Sequence, residues 1–505
     1  MGESYAIELK KLSKAFGSVV AVDEVDLNVR HGEILALLGE NGSGKTTLMN
    51  MLSGIYYPDG GSIFIEGDQV AIHSPADASS LGIGMIHQHF KLVDVFSAMD
   101  SIALGTPGRR LPPKEMHQKV LDICESVGLS IDPQMSVHEM SVSQKQTVEI
   151  LKVLYRGAKI LILDEPTAVL TPQETDKLFE ILRKMRDKGA AIIIITHKLQ
   201  EVMRISDRVT ILRRGKSVGT VETAETNMRE LTELMVGHPV SLSIQRPRPQ
   251  GPKPILKVVD LTVDRPDGTR ALDSVSFDIR SGEILGVAGV AGSGQKELCE
   301  TIAGLMQHHR GAILYHGENI LGKSPAEIIQ MGISMSFVPE DRLGMGLVAA
   351  MDIVDNMLLK SYHMGQGPFV DKKPAREMAE MLVEKLDITT PSVHTPVRRL
   401  SGGNVQKVLL GREIQSNPNV LITAYPVRGL DINSSYTVYD LLNEQKKKNV
   451  AVMYIGEDLD VLLELSDRLM VIFQGRIAGM LDAAAVTKEQ VGLLMTGAKY
   501  EEVIA

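Results

Sequence analysis

The sequence predicts two tandem α/β domains, each a mainly parallel sheet with flanking helices plus a smaller helical subdomain. Three observations predict this class. The chain repeats itself at an interval of 250 to 260 residues. Within each repeat, short β-branched runs alternate with amphipathic stretches, the pattern of strands buried under helices. In the first repeat, a glycine-rich loop joins an apolar run to a helical one.

The repeat sets the domain organisation. HGEILALLGENGSGKTTL from His31 matches SGEILGVAGVAGSGQKEL from Ser281, so Gly39 aligns with Gly289, 250 residues further on. MSVSQ from Met140 aligns with LSGGN from Leu400, and ISDRVTILRRGK from Ile205 with LSDRLMVIFQGR from Leu465, both at an interval of 260. The stretch between the halves, residues 238–254, is proline-rich and polar, the composition of a linker. The expected domains are 1–240 and 253–505, with the linker over 241–252.

Strands and helices follow from periodicity. The run AAIIII at 190–195 and the run ending in Asp164 have the length and composition of buried parallel strands. PQETDKLFEILRKMRDKG, from Pro172, has helical spacing. Residues from about 90 to 155 and from about 347 to 410 read as mainly helical and interrupt the sheet pattern, which predicts the subdomains.

Composition narrows the function. The 505 residues exceed one typical domain; 44% are hydrophobic and 23% charged, ordinary for a globular chain that buries sizeable cores. A net charge of −9 argues against a general polyanion binder. Cys124 and Cys299 each lie in an apolar helical stretch and read as buried thiols, not a disulfide. The first residues lack the apolar core of a secretory signal. No apolar run approaches the ~20 residues of a spanning helix, so the chain is not expected to cross a membrane by itself.

The chemistry concentrates in the first half. Gly39, Glu40, Asn41, Gly42, Ser43, Gly44, Lys45, Thr46 and Thr47 follow an apolar strand and open a helix. That is the phosphate-loop pattern. Glycines let backbone N–H groups turn inward around phosphates, and the helix presents its positive end to the anion. Lys45 would reach the β- and γ-phosphates, and the Thr46 hydroxyl would face Mg²⁺. A glycine-rich turn with a chance Lys-Thr is the alternative, disfavoured by the strand–loop–helix context. The run KILILDEP from Lys159 ends in Asp164 and Glu165. Adjacent acids at the carboxyl end of a strand sit where open α/β sheets bind ligands. Asp164 would hold Mg²⁺ through water, and Glu165 would polarise the attacking water or accept its proton. Gln88 and His197 fall where a γ-phosphate sensor pair is expected, with Gln88 also near the metal. Phe16 precedes the loop at a spacing suited to stacking on adenine, its alternative being a core aromatic.

Together, in this order, these residues resemble the ATP-binding cassette family over nearly the whole chain, twice. LSGGN, from Leu400, looks like the family's signature at a helix start. The resemblance implies two phosphate-loop ATPase domains in a head-to-tail sandwich, each nucleotide lying between one half's loop and the other half's signature. Ser401, Gly402, Gly403 and Asp431 would then complete the site of the first half, with ATP and Mg²⁺ as ligands. The second half departs from the pattern. Gln295 stands where Lys45 stands, Ala424 and Tyr425 replace Asp164 and Glu165, Glu457 replaces His197, and Glu340 replaces Gln88. Arg265 and Pro266 are nearest to the Phe16 position. The first half's own signature reads MSVSQ, with Val142 and Ser143 in place of glycines, and Thr171 stands where the second half has Asp431. In the implied sandwich all these losses fall on one site, which leaves a single hydrolytic centre. Whether the altered loop takes nucleotide is open at this level.

An acidified second half with VPEDR and RGLD resembles the importers of simple sugars and nucleosides, most closely the nucleoside branch. The implied protein is the ATP-hydrolysing motor of an importer, peripheral on the cytoplasmic face of the membrane. Its implied partners are two integral membrane permease subunits and, indirectly, an extracytoplasmic solute-binding protein; self-association is open, and no nucleic-acid partner is expected. The competing class is a soluble fused-cassette ATPase acting on ribosomes or nucleic acid. Such proteins carry basic inserts or coiled-coil arms and two competent sites, and this acidic chain shows neither.

Overall fold

The computed structural model describes residues 5–17, 19–87, 90–106, 112–168, 170–196, 198–237, 243–306, 309–337, 346–360, 362, 370–428 and 430–504. The chain divides into two compact units, Met1–Ser241 and Leu242–Ala505.

The first unit opens with two long strands, β1 (Tyr5–Phe16) and β2 (Val19–Arg30), then β3 (Ile34–Leu38) and α1 (Lys45–Leu52). Next come β4 (Gly60–Ile65), β5 (Asp68–Val70), α2 (Pro75–Ser80) and β6 (Ile83–Ile86). A helical stretch holds α3 (Ala98–Ala103), α4 (Pro113–Val127) and α5 (Val142–Tyr155). The unit finishes with β7 (Ile160–Asp164), α6 (Pro172–Asp187), β8 (Ala191–Ile195), α7 (Leu199–Ile205), β9 (Arg208–Arg213), β10 (Lys216–Glu222) and α8 (Met228–Val236).

Six of these strands form a sheet in the order β10-β9-β3-β8-β7-β6, parallel except for the β9–β10 pair. Alternation along its strands divides the core. Leu35, Leu37, Ile160, Ile162, Ile193 and Ile195 face a cluster shared with α1 and a second sheet. Ile34, Leu161, Leu163, Ile192 and Ile194 face a cluster shared with α5 and α6. Strands covered on both faces must be apolar throughout, which is why these runs read clearly as sequence. The second sheet, ordered β2-β1-β4-β5, is antiparallel and is not anticipated by the sequence reading. The helices α3 to α5 pack on a core of their own, with Ile102, Val120 and Leu151 at its centre.

The second unit repeats the plan. It begins with β11 (Pro254–Asp264), β12 (Arg270–Arg280), β13 (Ile284–Ala288) and α9 (Gln295–Ile302). It continues through β14 (His309–Tyr315), β15 (Glu318–Asn319), α10 (Pro325–Gln330), β16 (Ile333–Phe337), α11 (Ile353–Leu358), α12 (Lys373–Lys385) and α13 (Gly402–Gln415). Then follow β17 (Val420–Ala424), α14 (Ile432–Lys447), β18 (Ala451–Ile455), α15 (Leu459–Leu465), β19 (Arg468–Phe473), β20 (Arg476–Asp482), α16 (Lys488–Met495) and α17 (Tyr500–Ile504). Its six-stranded sheet runs β16-β17-β18-β13-β19-β20, again beside a four-stranded antiparallel one. The polar stretch read as a linker is held by this unit: Ile244 packs on its core, and Arg246 donates to the carbonyls of Leu463 and Ser466. Cys124 and Cys299 are both buried and free. Among the described residues no helix is long and apolar enough to cross a membrane.

Candidate active site

Residues 39 to 44 turn from the end of β3 into α1. Gly42 and Gly44 take positive φ values of 81° and 101°. A Cβ on Gly44 would lie 2.4 Å from the Ala21 carbonyl, so both backbone shape and space require glycine there. The Ser43 amide donates to the Glu40 carbonyl at 3.1 Å, and the Gly215 amide donates to the Ser43 carbonyl at 3.1 Å, pinning the loop to the turn between β9 and β10. Asn41 and Gly42 are exposed at the loop's crest.

Lys45 begins α1 with its side chain folded back. Its Nζ donates to the Gly39 carbonyl at 2.7 Å and the Glu40 carbonyl at 2.9 Å, so the ammonium fills the concavity of its own loop. Burial lowers its pKa, while the charges of Glu165, Asp164 and Glu40 act to raise it. In the parallel order β3-β8-β7 the ends of β3 and β7 lie at the same edge of the sheet, which brings the two strand-end carboxylates to the side of the loop. Thr46 is exposed and Thr47 half-buried on the first turn of α1.

The carboxylates come from β7. Asp164 is its last residue, and Glu165 follows in a left-handed conformation, φ 49°, with its amide donating to the Ile195 carbonyl at 2.9 Å. A non-glycine residue in that region costs free energy and persists where the surroundings hold it. Asp164 is raised to about 6, first by burial and then by the charge of Glu165, with Lys45 opposing. Nearby, Lys198 Nζ lies 3.2 Å from Glu201 and donates to the Thr167 carbonyl at 3.1 Å, bracing the turn after Glu165. Gln88 and His197, the expected sensor pair, lie outside the described residues.

Phe16 is 43% exposed at the end of β1, so it is no core aromatic. Its ring meets Tyr56 edge to face at 5.2 Å between centroids. Tyr56 was not singled out by sequence reasoning; its one signal is an aromatic pair just past α1. Another such residue is Glu149, 3% exposed on α5. It accepts from the Lys91 amide at 2.8 Å and pairs with Lys152, tying the chain just past Gln88 to the helix that Ser141 caps.

In the second unit, Ser401 caps α13, accepting from the Asn404 amide, with Gly402 and Gly403 on the first turn. Asp431 caps α14 and accepts from the Ser434 amide at 2.8 Å and hydroxyl at 2.7 Å. Tyr425 repeats the left-handed backbone of Glu165, φ 52°, but its ring packs against the hydrophobic core. Glu340, the Gln88 counterpart, lies outside the described residues.

Comparison with known proteins identifies the family. The family model described as ABC transporter matches residues 22–168 and again 272–426. The chain belongs to the ABC transporter family. It is an ATPase with two cassettes, each carrying a parallel sheet and flanking helices. Relatives match it end to end. A nucleoside import ATP-binding protein, NupA, from Lactococcus lactis is 42% identical over 99% of this chain and 100% of its own length. A guanosine import ATP-binding protein, NupO, from Bacillus subtilis is 43% identical over 99% and 98%. A ribose import ATP-binding protein from Streptomyces avermitilis is 40% identical over 96% and 92%. Among solved structures, an archaeal ribosome recycling factor, aABCE1, aligns with a TM-score of 0.62 at 17% identity, covering 94% of this chain and 90% of that one, a likeness of fold alone.

Proposed function

We propose that this chain is the ATP-hydrolysing subunit of a nucleoside importer, seated peripherally on the cytoplasmic face of the membrane against two permease subunits fed by a solute-binding protein. The observation that carries the hydrolytic role is that the loop after β3, with Lys45, and the acids at the end of β7, Asp164 and Glu165, open on the same edge of one parallel sheet. End-to-end similarity to import proteins for a nucleoside and for guanosine, at 42% and 43% identity, supports the solute class.

In this reading, Lys45 Nζ trades its two loop carbonyls for β- and γ-phosphate oxygens, while inward-facing amides of residues 42 to 46 receive the rest of the phosphate charge. Phe16 stacks on adenine. Glu165 orients the attacking water and takes its proton. The donor set fits Mg²⁺. Thr46 and Asp164 offer two hard oxygens, and a metal that keeps waters and substrate phosphates needs few protein ligands. Among the described residues no larger cluster of His, Cys, Asp or Glu is poised to cage a metal. Bound Mg²⁺ would neutralise charge on the phosphate oxygens. Gln88 and His197 act beside the γ-phosphate, and Ser401, Gly402, Gly403 and Asp431 complete the site in the sandwich that family resemblance implies.

The test is ATPase activity of the chain reconstituted with its permease subunits and binding protein, challenged with nucleosides and with pentoses. Stimulation by nucleosides is the expected result. Stimulation by a pentose alone would replace nucleoside with sugar, and activity indifferent to membrane partners would overturn the importer role.

A further inference from the structure

The second unit's phosphate loop keeps its backbone shape and loses its chemistry in a specific way. Gly292 and Gly294 have φ values of 84° and 108°, and the Ser293 amide donates to the Val290 carbonyl at 3.1 Å, matching the first unit. The concavity is filled by the loop's own residue. Gln295 is 3% exposed and its Nε2 donates to the Val290 carbonyl at 3.3 Å. That amide also lies 2.5 Å from where a Cβ on Gly289 would stand, so it packs directly on the loop's first glycine. It repeats the inward fold of Lys45 with a neutral group.

The mouth of the loop is bridged as well. Glu297 places a carboxylate in the first turn of α9, where Thr47 stands in the first unit. Arg265 comes from the turn between β11 and β12, where the first unit places Phe16. Its Nε lies 2.7 Å from Glu297 Oε1. A bound nucleotide would run from an adenine at that turn to phosphates at that helix, the span this ion pair occupies. Lys296, in the first turn of α9, is exposed and turned along the helix toward Glu300 at 3.8 Å. Across the site, β17 ends in Ala424, and Arg428 pairs with Glu457 at 3.5 Å. No carboxylate stands in the Asp164 position to recruit a metal, because β17 ends in Ala424.

We infer that the second phosphate loop is closed by Gln295 and the Arg265–Glu297 bridge and takes no ATP, so the chain binds one nucleotide, at the first loop. This rests on the reading of the first loop as the ATP site. An anionic ligand that must break the bridge, face Glu297 and forgo a lysine loses several charge-assisted hydrogen bonds. Its affinity should be at least about a hundredfold below that of the first loop.

The experiment is photolabelling of the full chain with azido-ATP, followed by peptide mapping, in wild type, in Lys45→Ala and in the triple variant Arg265→Ala/Gln295→Lys/Glu297→Thr. Wild type should carry label on first-unit peptides and none on the peptides around Arg265 and Gln295, and Lys45→Ala should lose the first-unit label without gaining any around Arg265 and Gln295. The triple variant should gain label on second-unit peptides, which shows that this unit labels when opened. Wild-type label on the peptides around Arg265 and Gln295 at occupancy similar to the first loop would overturn the inference. A triple variant that folds with wild-type thermal stability yet stays unlabelled there would overturn the assignment of closure to these three residues. Missing first-unit label in wild type would instead strike the reading of the first loop, and the second-unit result would stand apart from it.

Discussion

Protonation of Asp164 should compete with the metal. Its carboxyl is lifted from 3.8 to about 6 by burial and by the adjacent charge of Glu165, against the pull of Lys45. A carboxyl must be ionised to serve a hard cation. Metal affinity of the nucleotide-bound chain should therefore level off above pH about 7 and fall toward tenfold per unit below about 6. An aspartate at its ordinary value would still be about nine-tenths ionised at pH 5 and would show no such fall. The substitution Glu165→Gln removes the second-largest cause of the shift. Like charges on adjacent residues of a half-buried site interact by roughly 1–2 kcal/mol, so the acid limb should move down by about one pH unit. The assay is Mn²⁺ binding followed by electron paramagnetic resonance, with a non-hydrolysable ATP analogue, from pH 5 to 8. Protonation of the nucleotide is common to wild type and variant, so the displacement between the two curves belongs to the protein. Superimposed curves, or a variant limb moved to higher pH, would refute the coupling. The shift also carries a sign for stability. Because folding raises this pKa, the group favours the ligand-free fold below 3.8, and that contribution is lost as pH rises through about 6.

Other outcomes follow from the same geometry. Glu165→Gln should keep ATP binding and lose about 10²–10⁴-fold in turnover, read by steady-state phosphate release; wild-type turnover would end the assignment of Glu165 as base. Gly44→Ala must accommodate both φ 101° and a Cβ at 2.4 Å from the Ala21 carbonyl, so it should abolish ATP binding while circular dichroism retains the fold. Val95 is 82% exposed, whereas the Phe96 carbonyl accepts from the Val137 amide and its side chain is half-buried. The segment Lys91 to Ser101, just past Gln88, is expected to dock on a permease subunit, so a cysteine at Val95 should crosslink to that subunit in an active assembly, and its failure to do so would move the docking surface elsewhere.

The two parallel sheets were legible because both their faces are buried. Runs such as Ala191–Ile195 have no polar position to confuse the pattern. The antiparallel sheets were not legible. Along β1 the alternation slips between Leu9 and Leu12, where Lys10 and Lys11 face solvent and Lys11 adopts φ 50°. A register shift moves side chains to the other face and erases period-two alternation. The candidate site divides the same way. Its loop and acidic strand end are contiguous in sequence and carry their chemistry in order. Tyr56 against Phe16, Glu149 against Lys91 and Glu297 against Arg265 are contacts between segments 32 to 58 residues apart, which spacing alone cannot pair. The altered positions of the second loop could be named from sequence; that its replacements fill and bridge the loop required their coordinates.

Hydrolysis at a single centre is tested most directly by comparing Ser401→Ala with Ser141→Ala in the assembled transporter. The two serines are local equivalents. Each is exposed, each caps a helix of 14 residues, and each accepts from the amide three positions on. Loss of the cap costs each helix about 1 kcal/mol, so stability should change alike and cancel from the comparison. In the implied sandwich, only Ser401 addresses the phosphate held by Lys45, and removing a donor to developing charge costs roughly 10²-fold or more in rate. The expected result is ATPase activity crippled in Ser401→Ala and nearly unchanged in Ser141→Ala. Equal losses, or a greater loss in Ser141→Ala, would contradict a single hydrolytic site.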